Sequence, residues 1–178
     1  DNFSRKGRFH QARVGLEGEV MPNLFLKVRS GPHFRRYPNG SERNFNLWVA
    51  DFRLEYEMRK NLTLKAEFVR EPVEATFVET HFYREHLYQL GLEYQFRRQW
   101  GVFSEVKYYR HFYPEKIPLG GANRSRRDHH MGMKMGVRYR PMEWWELELA
   151  YEYLRRNSNV ADSGYTDNLL SLTSALAY

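Results

Sequence analysis

The chain has 178 residues, a formal net charge of +6 and a mean hydropathy of −0.77. That length sets a single domain or barrel segment over residues 1–178, and the hydropathy excludes a helical membrane span, which needs roughly 18 uncharged apolar residues in a row. The absence of cysteine excludes disulfides and thiolate metal centres. An aromatic content of 16% is high for so polar a chain and points to many half-wet, half-apolar positions.

Residues 1–10, DNFSRKGRFH, have no apolar core and form no secretory leader. From Gln11 onward apolar residues recur with period two, and no helical stripe interrupts them. The alternation predicts nine strands. Gln11–Val20 sets Val14, Leu16 and Val20 against Arg13, Glu17 and Glu19, and Leu24–Ser30 sets Leu24, Leu26 and Val28 against Lys27 and Arg29. Phe45–Met58 carries Arg53 and Glu55, with Asp51 and Glu57, opposite Phe52, Leu54 and Tyr56. Its beat slips around Leu47–Ala50, where a bulge would restore it. Leu62–Arg70 carries Lys65 and Glu67, Leu87–Phe96 carries Glu93, and Trp100–His111 carries Glu105 and Lys107. Met131–Arg140 carries Lys134, Arg138 and Arg140, and Trp145–Leu154 carries Glu146, Glu148 and Glu152. Leu169–Tyr178 ends the series.

Connections alternate strictly between short (MPN, RKN, RRQ, PMEW) and long (31–44, 71–86, 112–130, 156–168). This is the signature of an up-and-down meander with all tight turns at one end. The expected fold is therefore all-β, an antiparallel up-and-down transmembrane β-barrel of about nine or ten strands, or part of a larger one. A soluble barrel would have to pack the whole apolar face into one small interior, which holds only a few layers of side chains. A transmembrane barrel turns that face to lipid and the charges to the lumen. The tight-turn ends gather Trp100, Trp144, Trp145, Tyr56, Tyr94, Phe96 and Tyr139, and the chain ends on Tyr178, as an interfacial aromatic girdle would.

The charged face holds nine of the 28 basic and eleven of the 22 acidic residues, so the positive excess lies elsewhere. Expected cross-strand partners are Glu17 and Glu19 with Lys27 and Arg29, Arg53 and Glu55 with Lys65 and Glu67, Glu93 with Lys107, and Arg138 and Arg140 with Glu146 and Glu148. These charges brace a narrow wall or line a water-filled lumen. Arg5, Lys6, Arg8, Arg35, Arg36, Arg43, Arg124, Arg126 and Arg127 lie in or near long connections, a basic rim for lipopolysaccharide phosphates or acidic polysaccharide. They lack an interleaved aromatic platform, which argues against nucleic acid as a partner. His81, His86, His111, His129 and His130 fall near the long-loop end without metal-ligand spacing, and no cofactor is expected. Ser104 and His111 are more than about 20 Å apart along an extended strand, so they form no dyad and no enzyme is expected.

The stretch YEYLRRNSNVADSGYTDNLLSLTSALAY (151–178) and hairpins such as LEYEMRKNLTLKAEF (54–68) resemble bacterial outer-membrane β-barrel porins. The closest resemblance is to the broad porin class some of whose members accompany exopolysaccharide-export genes, with this chain as a C-terminal portion. The resemblance implies an outer-membrane location and makes the last strand (Leu170, Leu172, Leu176, Tyr178) the recognition signal for the barrel-insertion machinery. It departs from that class in ending on Tyr rather than Phe. Nine strands put the start of the first and the end of the last at opposite ends, so a further segment or a second chain is expected to complete the barrel. The expected work is passive diffusion or (poly)saccharide passage. The alternatives are a structural barrel that sheathes or anchors a partner protein and a lipid-modifying barrel enzyme.

Overall fold

The computed structural model describes residues 8–37, 44–74, 82–119 and 122–176. These residues form ten strands: β1 (Arg8–Gln11), β2 (Val14–Met21), β3 (Leu24–Arg36), β4 (Phe45–Arg59), β5 (Leu62–Glu74), β6 (Phe82–Arg97), β7 (Trp100–Leu119), β8 (Ala122–Met142), β9 (Trp145–Ser158) and β10 (Tyr165–Leu176). All pair antiparallel in one sheet. Both β1 and β2 pair with β3, β1 beside His33–Arg36 and β2 beside Leu24–Ser30. They are one strand interrupted at Ala12–Arg13, so the nine-strand alternation stands with its first strand broken in two.

The even spacing of apolar side chains forces the pairs to stack by face. Leu26, Leu54, Ala66, Leu90, Val106, Met133 and Tyr153 follow one another across seven strands in direct register. The same face exposes large apolar residues throughout, from Leu16 at 81% through Leu90 at 61% to Leu172 at 75%. The buried Val49, Phe103, Asp128 and Ala150 all lie on the opposite face. A sheet that curls toward its charged face crowds that face and splays the apolar one outward.

Two-residue turns at Pro22–Asn23, Lys60–Asn61, Arg98–Gln99 and Glu143–Trp144 close the four hairpins at one end. Asn23 takes a left-handed φ of 68°, which an Asn tolerates better than most residues. Turn carbonyls link neighbouring hairpins: Asn23 O accepts from Glu57 N, Asn61 O from Gln95 N and Gln99 O from Arg140 N, at 2.7–2.8 Å. Register shifts fall beside these turns, at Glu19/Met21, Glu57/Arg59, Gln95/Arg97 and Tyr139/Met142.

Two expectations are corrected. No bulge occurs at Leu47–Ala50, because β3 and β4 pair without a shift from Leu24–Tyr56 to Arg35–Phe45. The beat fails there because Val49 points inward and is fully buried, so both faces carry apolar residues. The long connections are also much shorter than expected. Strands β5 and β6 pair as far as Glu74–Phe82, and β7 and β8 as far as Leu119–Ala122. Aromatic and polar side chains replace the apolar–charged alternation there, which hid these strand extensions. Tyr178 lies outside the described residues.

Among the described residues the sheet stays open. No pairing joins β10 to β1 or β2. Both edge strands run toward the tight-turn end, β2 into Pro22–Asn23 and β10 alongside Trp145. Antiparallel closure therefore takes an odd number of additional strands.

Candidate functional site

The inward face is a lattice of ion pairs, and each side chain is aimed by strand parity. Asp51 on β4 accepts from Arg13 Nη1 at 2.9 Å and Arg29 Nε at 2.8 Å. Lys27 pairs with Glu17 at 2.6 Å and Arg53 with Glu67 at 2.9 Å. Glu19 turns to the hairpin and accepts from the Asn23 N–H at 3.0 Å. Glu55 lies level with Lys65, but the Lys65 ammonium reaches Glu93 at 3.1 Å.

The lattice continues across three more strands. Glu93 also accepts from Arg138 at 3.3 Å, although β7 lies between their strands. Gly101 stands level with Arg138 on the intervening strand. Arg138 Nε donates to Glu148 at 2.8 Å, Lys134 donates to the other oxygen of Glu148 at 3.0 Å, and Arg140 donates to Glu146 at 2.6 Å. Glu105 accepts from Lys107 and Gln89, and Glu152 lies level with Lys134. These charged side chains thus share one face of the sheet. The expected Glu93–Lys107 pair is not formed. The tight Arg97–Trp100 closure sets Glu93 opposite Phe103 and Lys107 opposite Gln89.

Phe103 is the feature that the alternation missed. It occupies an inward position, is nearly buried, and lies under the Arg138 guanidinium at 4.4 Å and the Lys134 ammonium at 5.4 Å from its ring centre. Its ring fills the space over Gly136. The GVFSEV sequence carries the signal, since Phe interrupts the polar beat where its register neighbour is Gly.

At the tight-turn end Trp100 stacks on Tyr139 at 4.4 Å, and both belong to the apolar outward face. Trp145 donates to Ser174 at 3.0 Å, and Trp144 sits in the turn itself, half exposed. The outward apolar stretch from Trp100 to Tyr108, mirrored by Tyr139 to Met131, is nine residues long. That matches the roughly 9–11 tilted residues that cross a bilayer core.

Beyond that stretch the inward face changes to an aromatic and polar cluster. Asp128 is fully buried and accepts from Arg126, from Arg156 at 2.6 Å and from Ser158 at 2.6 Å. Burial pushes its carboxyl up, but the hydrogen bonds from Ser158, Arg126 and Arg156 outweigh that and hold it below the usual range. Burial also pushes the Tyr113 hydroxyl up to about 12 and, with the charge of His111 and Arg156, holds His130 down to about 4. His111 meets Glu85 at 2.8 Å and lies 4.5 Å from both the Tyr83 and His130 rings. His86 and His129 point to the opposite face, and His81 lies outside the described residues. Among the described residues no three histidine, aspartate or glutamate side chains converge on a metal position.

No family model matches the sequence. No curated protein matches it either. Several solved structures share the fold. A chain of the FpvAI–pyocin S2 complex superposes with a TM-score of 0.70 at 10% identity, over 97% of this chain and 26% of that one. The alcaligin outer-membrane receptor FauA of Bordetella pertussis gives 0.63 at 13%, over 94% and 34%. The outer-membrane protein OmpT of Vibrio cholerae gives 0.52 at 12%, over 96% and 54%. The shared feature is the fold alone, an open antiparallel sheet like part of those structures, and the chain spans about a quarter to a half of the chains it resembles.

Proposed function

We propose that this chain is a wall segment of a bacterial outer-membrane β-barrel whose charged face lines a conduit for small solutes or saccharide chains. One observation carries the reading: a band of exposed apolar side chains about nine residues tall covers one face, while the other is a continuous ion-pair lattice. Water on the apolar face would make that arrangement unfavourable, whereas lipid makes it the stable one. The two parallel-running edges support completion by further strands. The expected partners are those strands, membrane lipid and the barrel-insertion machinery.

Met135 lies at the middle of the outward band, level with Ser104 and Tyr151. In lipid, Met135→Arg in the full-length protein costs about 2–4 kcal/mol in folding equilibria measured in vesicles. On a water-facing surface the same change stays within about 0.5 kcal/mol, and that result would refute the membrane reading. Ion conductance of the full-length protein in planar bilayers tests the conduit, and a silent protein rejects it.

A second reading is favoured by the inward cluster of Tyr83, Tyr113 and His111 beyond the membrane band. Two of the similar structures come from a receptor for alcaligin and a complex with a pyocin. The cluster would then hold a ligand before passage. Ligand-dependent block of conductance that is lost in Tyr83→Ala distinguishes a receptor from an open conduit.

A further inference from the structure

On the outward face the apolar band ends abruptly, and what replaces it is a belt of cations. The row Phe68–Tyr88–Tyr108–Met131 is the last apolar level. One residue pair beyond it, in direct register, stand Arg70, His86 and Arg110, followed by His129. The next level holds Arg84, Phe112 and Arg127, with both guanidiniums over the Phe112 ring at 5.2 and 5.6 Å.

This belt lacks counter-charge. None of the four arginines forms an ion pair among the described residues. The Nε atoms of Arg70 and Arg84 and the Nε2 of His86 are buried with no hydrogen-bond partner. Burial holds His86 below its ordinary range, reinforced by Arg70, Arg84 and Arg110, and no carboxylate opposes them. Elsewhere among the described residues, lysines and arginines of comparable burial such as Lys65, Arg138 and Arg156 meet carboxylates. A group of like charges with orphaned donors is costly unless an anion from outside completes it.

We infer that Arg70, Arg84, Arg110 and Arg127 bind the phosphate of a membrane lipid on the outer wall, the natural ligand being a phosphorylated glycolipid of the outer leaflet such as lipopolysaccharide. Guanidinium forks match phosphate oxygens in pairs. Depth selects the lipid over a free anion. The belt sits where headgroups begin, and acyl chains lying on Leu90, Val106 and Met133 bring the headgroup phosphate to it. These wall residues, rather than the connecting loops, make the phosphate contact. The inference rests on the membrane reading above, and its test separates the two.

The experiment uses full-length protein with vesicles of phosphatidylcholine alone or doped with bisphosphorylated lipid A, and with lipid A stripped of phosphate. Flotation with phosphatidylcholine reports the membrane reading by itself. Lipid A preference reports the belt. In R84Q/R110Q the apparent affinity for lipid A falls about 30-fold, since each surface cation contributes about fivefold, while flotation and β-sheet circular dichroism are unchanged. The control R97Q/R98Q removes two charges at the tight-turn end and leaves lipid A preference intact. The inference is overturned if R84Q/R110Q keeps the wild-type preference, if phosphate-free lipid A binds equally well, or if millimolar inorganic phosphate competes fully, which marks a free-anion site. Failure to float with phosphatidylcholine overturns the membrane reading instead.

Discussion

Gly136 and Gly132 lie four residues apart on the same strand and the same inward face, and adding one methyl group to each has opposite expected consequences. A Cβ on Gly136 would meet the Leu149 carbonyl oxygen at 2.5 Å and the Phe103 ring at 2.7 and 2.8 Å. The ring has to tilt away, which breaks its contact with Arg138 and loosens the Glu93–Arg138–Glu148 relay. Overpacking of this kind costs about 1–3 kcal/mol, and the lost cation–ring contact adds about 1 kcal/mol. Gly136→Ala is therefore expected to destabilise by about 2–4 kcal/mol. At Gly132 the nearest atoms are Leu154 Cδ1 at 3.6 Å, Lys107 Cβ at 3.8 Å and Tyr153 O at 3.9 Å, which are ordinary contacts. Gly132→Ala should stay within about 0.5 kcal/mol or gain slightly, because the unfolded chain loses freedom. Urea unfolding of the full-length protein in vesicles measures both. In a Phe103→Ala background the Gly136→Ala cost shrinks but persists, since the Leu149 carbonyl remains. Equal costs at the two glycines would refute the role given to Phe103.

Glu148→Gln removes the shared acceptor of Lys134 and Arg138 and is expected to lower stability by about 2 kcal/mol, read from the same unfolding curves. It also shifts single-channel reversal potentials toward anions, because the inner wall gains a positive charge. Asp128→Asn leaves Arg126 and Arg156 around a neutral buried amide and should cost about 3 kcal/mol; a change below about 1 kcal/mol would contradict the arrangement. His130 has its folded pKa lowered to about 4 from an ordinary 6.5, so the unfolded chain binds the extra proton between those values. Stability is then complete above about 6.5 and lost as pH falls toward 4, and His130→Asn should flatten that limb of a stability-versus-pH curve.

The period-two alternation carried the antiparallel all-β sheet, the hairpin order, the tight turns and which charged residues share a face, from Arg13 to Glu152. Alternation is a local property of an extended chain, and a strand can put its side chains on only two faces. Partnership within a face was less accessible. Glu93 was expected to meet Lys107, but turn closure at Arg97–Trp100 slides the register, and Glu93 instead accepts from Arg138 across β7. Asp128 and Tyr113 were assigned to a loop because aromatic and polar residues on both faces erase the beat.

What the sequence determined by itself was therefore sidedness: which residues share a face, and that the apolar face is too large for a small interior. The tertiary structure decided three further things. It set the direction of curvature, which exposes the apolar band and crowds the ion pairs. It set the register, which chose each ion's partner and stacked Arg70, His86 and Arg110 into one belt. And it carried strand pairing into what reads as loop, joining β7 to β8 as far as Leu119–Ala122. All three depend on distances between residues far apart in the chain, fixed by the sum of many weak cross-strand contacts, which no single strand's pattern encodes.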